Sequence, residues 1–173
     1  MMFGRGVFRL LGAVSTLGLW LGMGLLFLIT ALIVLQVVAR NLFNLGLPWA
    51  DEGARFCGIA LVYLCVPWLA LRGRHIAVDL VSARLTGGWR RGLMALTELA
   101  VLGFAGIVLH GFSAFLERAA KFATPAMGMP NSIFYAPAVA GFVMLGLIAL
   151  ARLLTLLAGG AVEESGEGFE GRV

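Results

Sequence analysis

The chain has 173 residues, of which 61% are hydrophobic and only 13% are charged. Soluble domains carry about 25% charged residues, so this composition, with a mean hydropathy of +0.98, excludes an ordinary soluble protein and predicts that lipid is the solvent. The net charge of +4 does not indicate a nucleic-acid partner, because the arginines separate apolar runs instead of covering one face.

Four apolar runs are each long enough to cross the roughly 30 Å hydrocarbon core of a bilayer. They cover residues about 10–40, 49–71, 91–117 and 131–157. The sequence therefore predicts an all-α integral membrane protein, with a membrane domain of four transmembrane helices over residues 1–160. Residues 161–173 are acidic and rich in glycine, and we expect a flexible tail there.

The first run follows Arg5 and Arg9, as the apolar part of a signal peptide would. Its uncharged stretch, residues 10–39, far exceeds the roughly 7 to 15 apolar residues of a signal peptide, so we predict a retained signal anchor. Gly18 and Gly22 in this run form a G-x-x-x-G match, which permits close approach of another helix. Gly24, Gly103 and Gly106 likewise permit close approach of another helix.

A cluster of charged residues joins the first and second runs. Trp49 fits an anchor at the membrane interface, and Asp51 and Glu52 fall in the first turn of the second helix, where the helix dipole favours negative charge. Glu52 and Arg55 are neighbours at i,i+3, and Arg40 can reach either acid across the turn. We predict that the cluster clamps this hairpin, with a solute site as the alternative.

The segment after the second run predicts an amphipathic helix over residues about 75–86. His75, Asp79, Ser82 and Thr86 recur at spacings of four, three and four, which places them on one polar stripe. Apolar residues cover most of the remaining surface. Such a helix would lie in the membrane interface or beneath the transmembrane helices, and a plain loop is the alternative.

Two ionisable residues lie within the third run. Glu98 is about two turns inside it, where we expect a structural partner such as Arg90, Arg91 or the region around His75 instead of a proton relay. His110 stands alone in the outer half. Because the two histidines lie near opposite membrane surfaces, they are unsuited to hold a haem between them.

The chain offers little for an enzyme. Cys57 and Cys65 are eight residues apart in one run, roughly 12 Å on a helix, which is too far for a disulfide. We identify no metal-ligand spacing, phosphate-binding glycine loop or paired nucleophile and base in the sequence. The sequence predicts a protein that is not an enzyme and has no cofactor.

The distribution of basic residues predicts the orientation in the membrane. Four spans place both termini on one side, and the side richer in arginine faces the cytoplasm. The side that holds the two termini carries Arg5, Arg9, Arg72, Arg74, Arg84, Arg90, Arg91 and Arg152. The other side carries only Arg40, Arg55, Arg118 and Lys121. Both termini are therefore predicted to be cytoplasmic.

Three motifs, in this order and with these spacings, resemble a known family. The first extends from Arg40-Asn41-Leu42-Phe43 through Leu47-Pro48-Trp49-Ala50-Asp51-Glu52 to Arg55, and is similar to a Pro-Trp-x-Glu-Glu pattern in which Asp51 replaces the first acid. The second and most specific is Arg72-Gly73-Arg74-His75-Ile76-Ala77-Val78-Asp79-Leu80, and the third is Thr124-Pro125-Ala126-Met127-Gly128-Met129-Pro130. The chain resembles the small membrane subunit, of the Q or DctQ type, of tripartite ATP-independent periplasmic (TRAP) transporters.

This resemblance implies a sodium-driven transport system for an organic acid in the bacterial inner membrane. A periplasmic solute-binding protein would deliver the solute to a large membrane subunit of the M type. The present chain would be a non-catalytic subunit that packs against the scaffold of the large subunit and helps form the docking surface for the binding protein. Arg40, Trp49, Asp51, Glu52 and Arg55 would shape the periplasmic end, and His75 and Asp79 would order the cytoplasmic amphipathic segment.

Two other functions remain as alternatives. One is a self-sufficient homo-oligomeric carrier, which would need no large subunit. The other is a small membrane oxidoreductase, which the unpaired histidines and the spacing of the cysteines disfavour.

Overall fold

A computed structural model describes residues 2–71 and 88–158, with side chains from residue 6 onward. The predicted amphipathic helix at 75–86, with Arg74, His75 and Asp79, lies outside these residues, as does the predicted tail at 161–173. The described residues form four helices, which are α1 (Met2–Phe43), α2 (Pro48–Leu71), α3 (Gly88–Ala119) and α4 (Asn131–Leu157). All four are long and apolar enough to cross a membrane, which confirms the predicted all-α fold with four transmembrane helices.

Helix α1 is longer than its predicted span, because it begins at Met2 instead of near residue 10. Its 42 residues extend about 63 Å at 1.5 Å per residue, twice the thickness of the hydrocarbon core. At its other end, Asn44 adopts a left-handed backbone conformation with a φ of 52°, which asparagine tolerates better than most residues. The Leu45 amide donates to the Ala39 carbonyl at 3.1 Å, and this ends the helix.

The helices form an open row in the order α1, α2, α4, α3. Helix α1 packs on α2, α2 on α4, and α4 on α3, and α1 also touches α4. Among the described residues, α3 contacts neither α1 nor α2. Both α1 and α3 therefore keep broad faces that no other described helix covers.

Small residues let the neighbouring helices approach closely. A Cβ atom added at Gly18 would lie 2.7 Å from the Leu64 carbonyl oxygen, and one at Gly22 would lie 2.6 Å from the Cys65 sulfur, so the predicted contact of this motif is confirmed. Gly141 of α4 is tighter still, with the Tyr63 carbonyl oxygen 2.5 Å from such an atom.

No described helix uses the close approach that Gly24, Gly103 and Gly106 permit. No described atom lies within 4 Å of a Cβ built on any of the three. These glycines lie on the faces of α1 and α3 that point away from the row.

Candidate functional site

The connections α1–α2 and α3–α4 meet at one end of the row, which we call the hairpin end. It comprises residues 44–52 and 120–130. Glu52, in the first turns of α2, accepts hydrogen bonds from the Ala126 amide through Oε1 and from the Met127 amide through Oε2, each at 2.8 Å. One carboxylate thereby joins two hairpins that are more than 70 residues apart in sequence.

The loop between α3 and α4 is folded so that these two amides are available. The Thr124 carbonyl accepts the Gly128 amide at 3.0 Å, and the Met129 carbonyl accepts the Thr124 amide at 2.8 Å. The Thr124 hydroxyl also accepts the Met129 amide at 3.1 Å. Gly128 closes this loop with a φ of 64°, a conformation that favours glycine.

Prolines flank the same loop. Pro125 precedes the amides that bind Glu52, and its ring fixes one backbone torsion of the turn. Pro130 is the N-cap residue of α4, with a φ of −56° and a ψ of 132°. Successive free amides in a turn form a concave anion site, and here the Glu52 carboxylate occupies it.

The other charged residues of this end are arranged differently from the prediction. Arg55 pairs with Asp51 at 2.6 Å, one full turn away, and not with Glu52. Their side chains are 71% and 43% exposed, so this ion pair contributes little to stability. Within the described residues no ion pair joins Arg40 to either acid. Glu52 thus links two hairpins, whereas the predicted contacts would have closed one.

A second polar connection lies toward the opposite end of the row. Arg152 of α4 lies 3.4 Å from the Glu98 carboxylate of α3 and donates to the Leu71 carbonyl, the last of α2, at 2.6 Å. The two charged side chains are only 10% and 15% exposed. Arg152 was predicted only as a cytoplasmic charge, and the structure makes it the residue that connects three helices.

Aromatic side chains fill the space between these two polar connections. On α4, Phe142 contacts Tyr63 of α2 with ring centroids 5.3 Å apart and Phe104 of α3 at 5.9 Å. Nearer the hairpin end, Tyr135 lies 5.1 Å from Phe115. Helix α4 is therefore the element that holds α2 and α3 together.

The described residues contain no cluster of three or more histidine, cysteine or acidic side chains that could hold a metal ion. Cys57 is buried and Cys65 is half-buried, and both are free thiols.

Comparisons with known proteins place the sequence among transporter components. A family model described as "Tripartite ATP-independent periplasmic transporters, DctQ component" matches residues 29–159. Two proteins of Haemophilus influenzae, both named putative TRAP transporter small permease protein, are 22% identical over 114 residues and 23% identical over 133 residues. These alignments cover 66% and 77% of this chain and 69% and 83% of the two relatives, respectively.

Proposed function

This chain belongs to the DctQ component family of tripartite ATP-independent periplasmic transporters, and from that premise we propose how it works as the small permease subunit. It packs against the scaffold of the large membrane subunit and presents a preformed surface to the soluble binding protein. It performs no chemistry of its own. The assembly is a sodium-driven transporter of an organic acid in the bacterial inner membrane.

The observation that carries this proposal is the pair of hydrogen bonds from Ala126 and Met127 to Glu52. They tie the two hairpins of the chain together at one end. A docking surface that is already ordered loses less conformational entropy when its partner binds. Glu52 therefore acts as a positioning residue for the docking surface.

Exposed apolar side chains surround this clamp. Trp49 is 45% exposed, Phe122 is 66% exposed and Met127 is 44% exposed. Aromatic residues and methionine are enriched at protein interfaces, and tryptophan also suits the membrane surface. We assign these side chains the contact with the binding protein, and Glu52 the role of holding them in place.

The distribution of arginines supports a periplasmic hairpin end. The ends of α2 and α4 meet the early part of α3 through Arg152. This end, opposite the hairpin end, has most of the basic residues, which lie in the chain termini, in residues 72–87 and in the first turn of α3. The positive-inside rule favours a cytoplasmic location for the end that contains Arg152. The binding protein, which is periplasmic, reaches the opposite end, where Glu52 lies.

The sodium gradient and the organic acid belong to the large subunit and the binding protein in this proposal. In the small subunit, the described intramembrane charges, Glu98 and Arg152, bind each other. Such a pair stabilises the helices and leaves no net charge for a solute. The selectivity for the solute consequently lies outside this chain.

The test is uptake of solute by proteoliposomes that contain both membrane subunits and receive increasing amounts of binding protein. Glu52→Ala removes two charge-assisted hydrogen bonds, and we expect the half-saturating concentration of binding protein to rise about tenfold. The matched control is Asp51→Ala, which removes the same charge one residue earlier and loses only the exposed pair with Arg55. We expect it to change uptake less than about twofold.

Three results would contradict the proposal. Equal effects of Glu52→Ala and Asp51→Ala would mean that the clamp does not shape the docking surface. A changed solute preference in Glu52→Ala, with both subunits still assembled, would assign Glu52 to a solute site. Uptake by this chain without the large subunit would favour the homo-oligomeric carrier.

A further inference from the structure

One line of side chains on α3 has the spacing of a helix–helix contact but faces away from every other described helix. Its members alternate at spacings of four and three residues, with an average of 3.6, the period of an α-helix, so they lie along one side of α3. All of them are exposed. We call this line the α3 seam, and it consists of Leu99, Gly103, Gly106, His110, Ser113 and Glu117.

The same spacing occurs in α1, where another helix does cover it. Leu11, Ser15, Gly18 and Gly22 are separated by four, three and four residues, and all four are buried. Helix α2 fills this line so closely that a methyl group at Gly18 or Gly22 would collide with it. In the α3 seam the space beside Gly103 and Gly106 is open. The contact between α1 and α2 shows that such a line can hold a closely packed neighbouring helix in this protein.

The exposed half of α3 has two chemically different sides. At about 100° per residue, the seam lies on one side, and a second line lies roughly a quarter-turn or more away. That second line carries Phe104, Ile107 and Phe115, which are 57%, 75% and 43% exposed, and it borders α4, whose rings touch Phe104 and Phe115. Bulky apolar side chains suit lipid, whereas small and polar side chains mark contacts between helices in a membrane. The seam is therefore the side that a protein helix covers.

His110 makes lipid an unfavourable neighbour for the seam. It lies seven residues, about 10 Å along the helix, before Glu117, and so within the outer half of the membrane. Its imidazole has no hydrogen bond to any side chain or backbone group of the described chain. Polar groups without a partner are costly in hydrocarbon, so the helix that covers the seam must offer a hydrogen-bonding group at this depth.

A second copy of this chain is a poor occupant. Two copies inserted in the same direction and related by an axis normal to the membrane place identical residues at identical depth. Glu117 would then face Glu117, and His110 would face His110. A different chain with a complementary side chain avoids both juxtapositions.

We propose that the α3 seam binds a transmembrane helix of the large membrane subunit, and that this helix carries a hydrogen-bonding side chain opposite His110. This rests on the proposed function, in which the two membrane subunits assemble. Gly103 and Gly106 let the two backbones approach, and His110 fixes the depth at which they meet.

The first test compares two glycine-to-leucine variants on the same helix, in tagged chains coexpressed with the large subunit. Gly106→Leu fills the seam, and Gly111→Leu fills the other exposed side. Neither position has a described atom within 4 Å of an added Cβ, so the isolated chains should melt at the same temperature. We expect Gly106→Leu to reduce recovery of the large subunit by at least about tenfold and Gly111→Leu to reduce it less than about twofold.

Equal recovery with both variants would overturn the seam as the contact. If the unaltered chain recovers no large subunit, the proposed function fails, and the occupant named for the seam fails with it. Recovery of the large subunit by the unaltered chain therefore distinguishes failure of the α3 seam from failure of the proposed function.

The second test identifies the occupant by photo-cross-linking in the intact assembly. A benzoylphenylalanine residue replaces Gly103 in one sample and Gly111, on the other exposed side, in another. We expect position 103 to cross-link to the large subunit and position 111 to give no protein adduct. An adduct of two copies of this chain at position 103, or an adduct with the large subunit only at position 111, would overturn the proposal.

Discussion

The two helices at the ends of the row, α1 and α3, carry similar glycine-containing lines but turn them in opposite directions. In α1 the line faces inward, and α2 packs against Gly18 and Gly22. In α3 the corresponding line faces outward, and the inward side is held by aromatic contacts and by Glu98. A line of small and polar residues at helical spacing therefore predicts a helix–helix contact. It does not indicate whether the second helix belongs to the same chain.

The difference also predicts which kind of substitution separates each end helix from the rest of the row. Helix α1 depends on close packing of small residues, so added volume should release it. Helix α3 depends on one charged pair and a few rings, so removal of groups should release it. Three substitutions, taken in order of decreasing effect, test the Arg152 pair, the contact of α2 with α4 and the contact of α1 with α2.

Arg152→Ala should have the largest effect on the isolated chain. It removes the cation beside the Glu98 carboxylate and the donor to the Leu71 carbonyl, and breaking a buried ion pair costs about 3 kcal/mol. The measurement is the free energy of unfolding in detergent by a denaturant titration. Arg91→Ala is the control, because Arg91 is exposed near the same end of α3. A loss below about 0.5 kcal/mol would show that the pair does not hold α3.

Gly141→Ala should have an intermediate effect, because its Cβ would lie 2.5 Å from the Tyr63 carbonyl oxygen and 2.9 Å from the Tyr63 Cβ. Backbone atoms cannot yield as a flexible side chain can, and overpacking costs about 1 to 3 kcal/mol. The same unfolding titration compares it with Gly103→Ala on the open α3 seam. Gly103→Ala should leave the stability of the isolated chain unchanged or raise it by less than about 1 kcal/mol, from helix propensity. Equal losses of unfolding free energy in the two variants would contradict the predicted difference between a glycine that faces a neighbouring helix and one that faces outward.

Gly22→Ala should have the smallest effect, because the atom that its Cβ would meet is the Cys65 sulfur at 2.6 Å. This sulfur is the end of a side chain, so Cys65→Ala should remove the conflict. In a double-mutant cycle we expect a coupling free energy of about 1 kcal/mol, with the double variant more stable than the sum of the single changes implies. A coupling near zero would mean that α1 shifts as a whole to accept the methyl group.

The sequence predicts the four helices well, since each is an apolar run bounded by charged residues or proline. The predicted spans at 49–71 and 131–157 agree closely with α2 and α4. Helix α1 extends further than predicted because Arg5 and Arg9 end the apolar run but do not interrupt a helix. Hydropathy marks the membrane core, and the helix continues beyond it.

The partners of the charged residues could not be predicted. Glu52 binds two backbone amides, which every non-proline residue possesses, so no residue type in the loop indicates the contact. Glu98 and Arg152 are 54 residues apart, and only the row of helices brings them together. In hindsight their matching depth in neighbouring spans was a usable signal.

The central claim, that this chain is a subunit that assembles with a larger membrane partner, is tested most directly by purification from the native membrane. The chain would be tagged, extracted in a mild detergent and recovered, and the proteins that accompany it would be identified by mass spectrometry. We expect a large membrane subunit in a fixed ratio to the tagged chain. Recovery of the tagged chain only with copies of itself, in a preparation that transports solute, would contradict it.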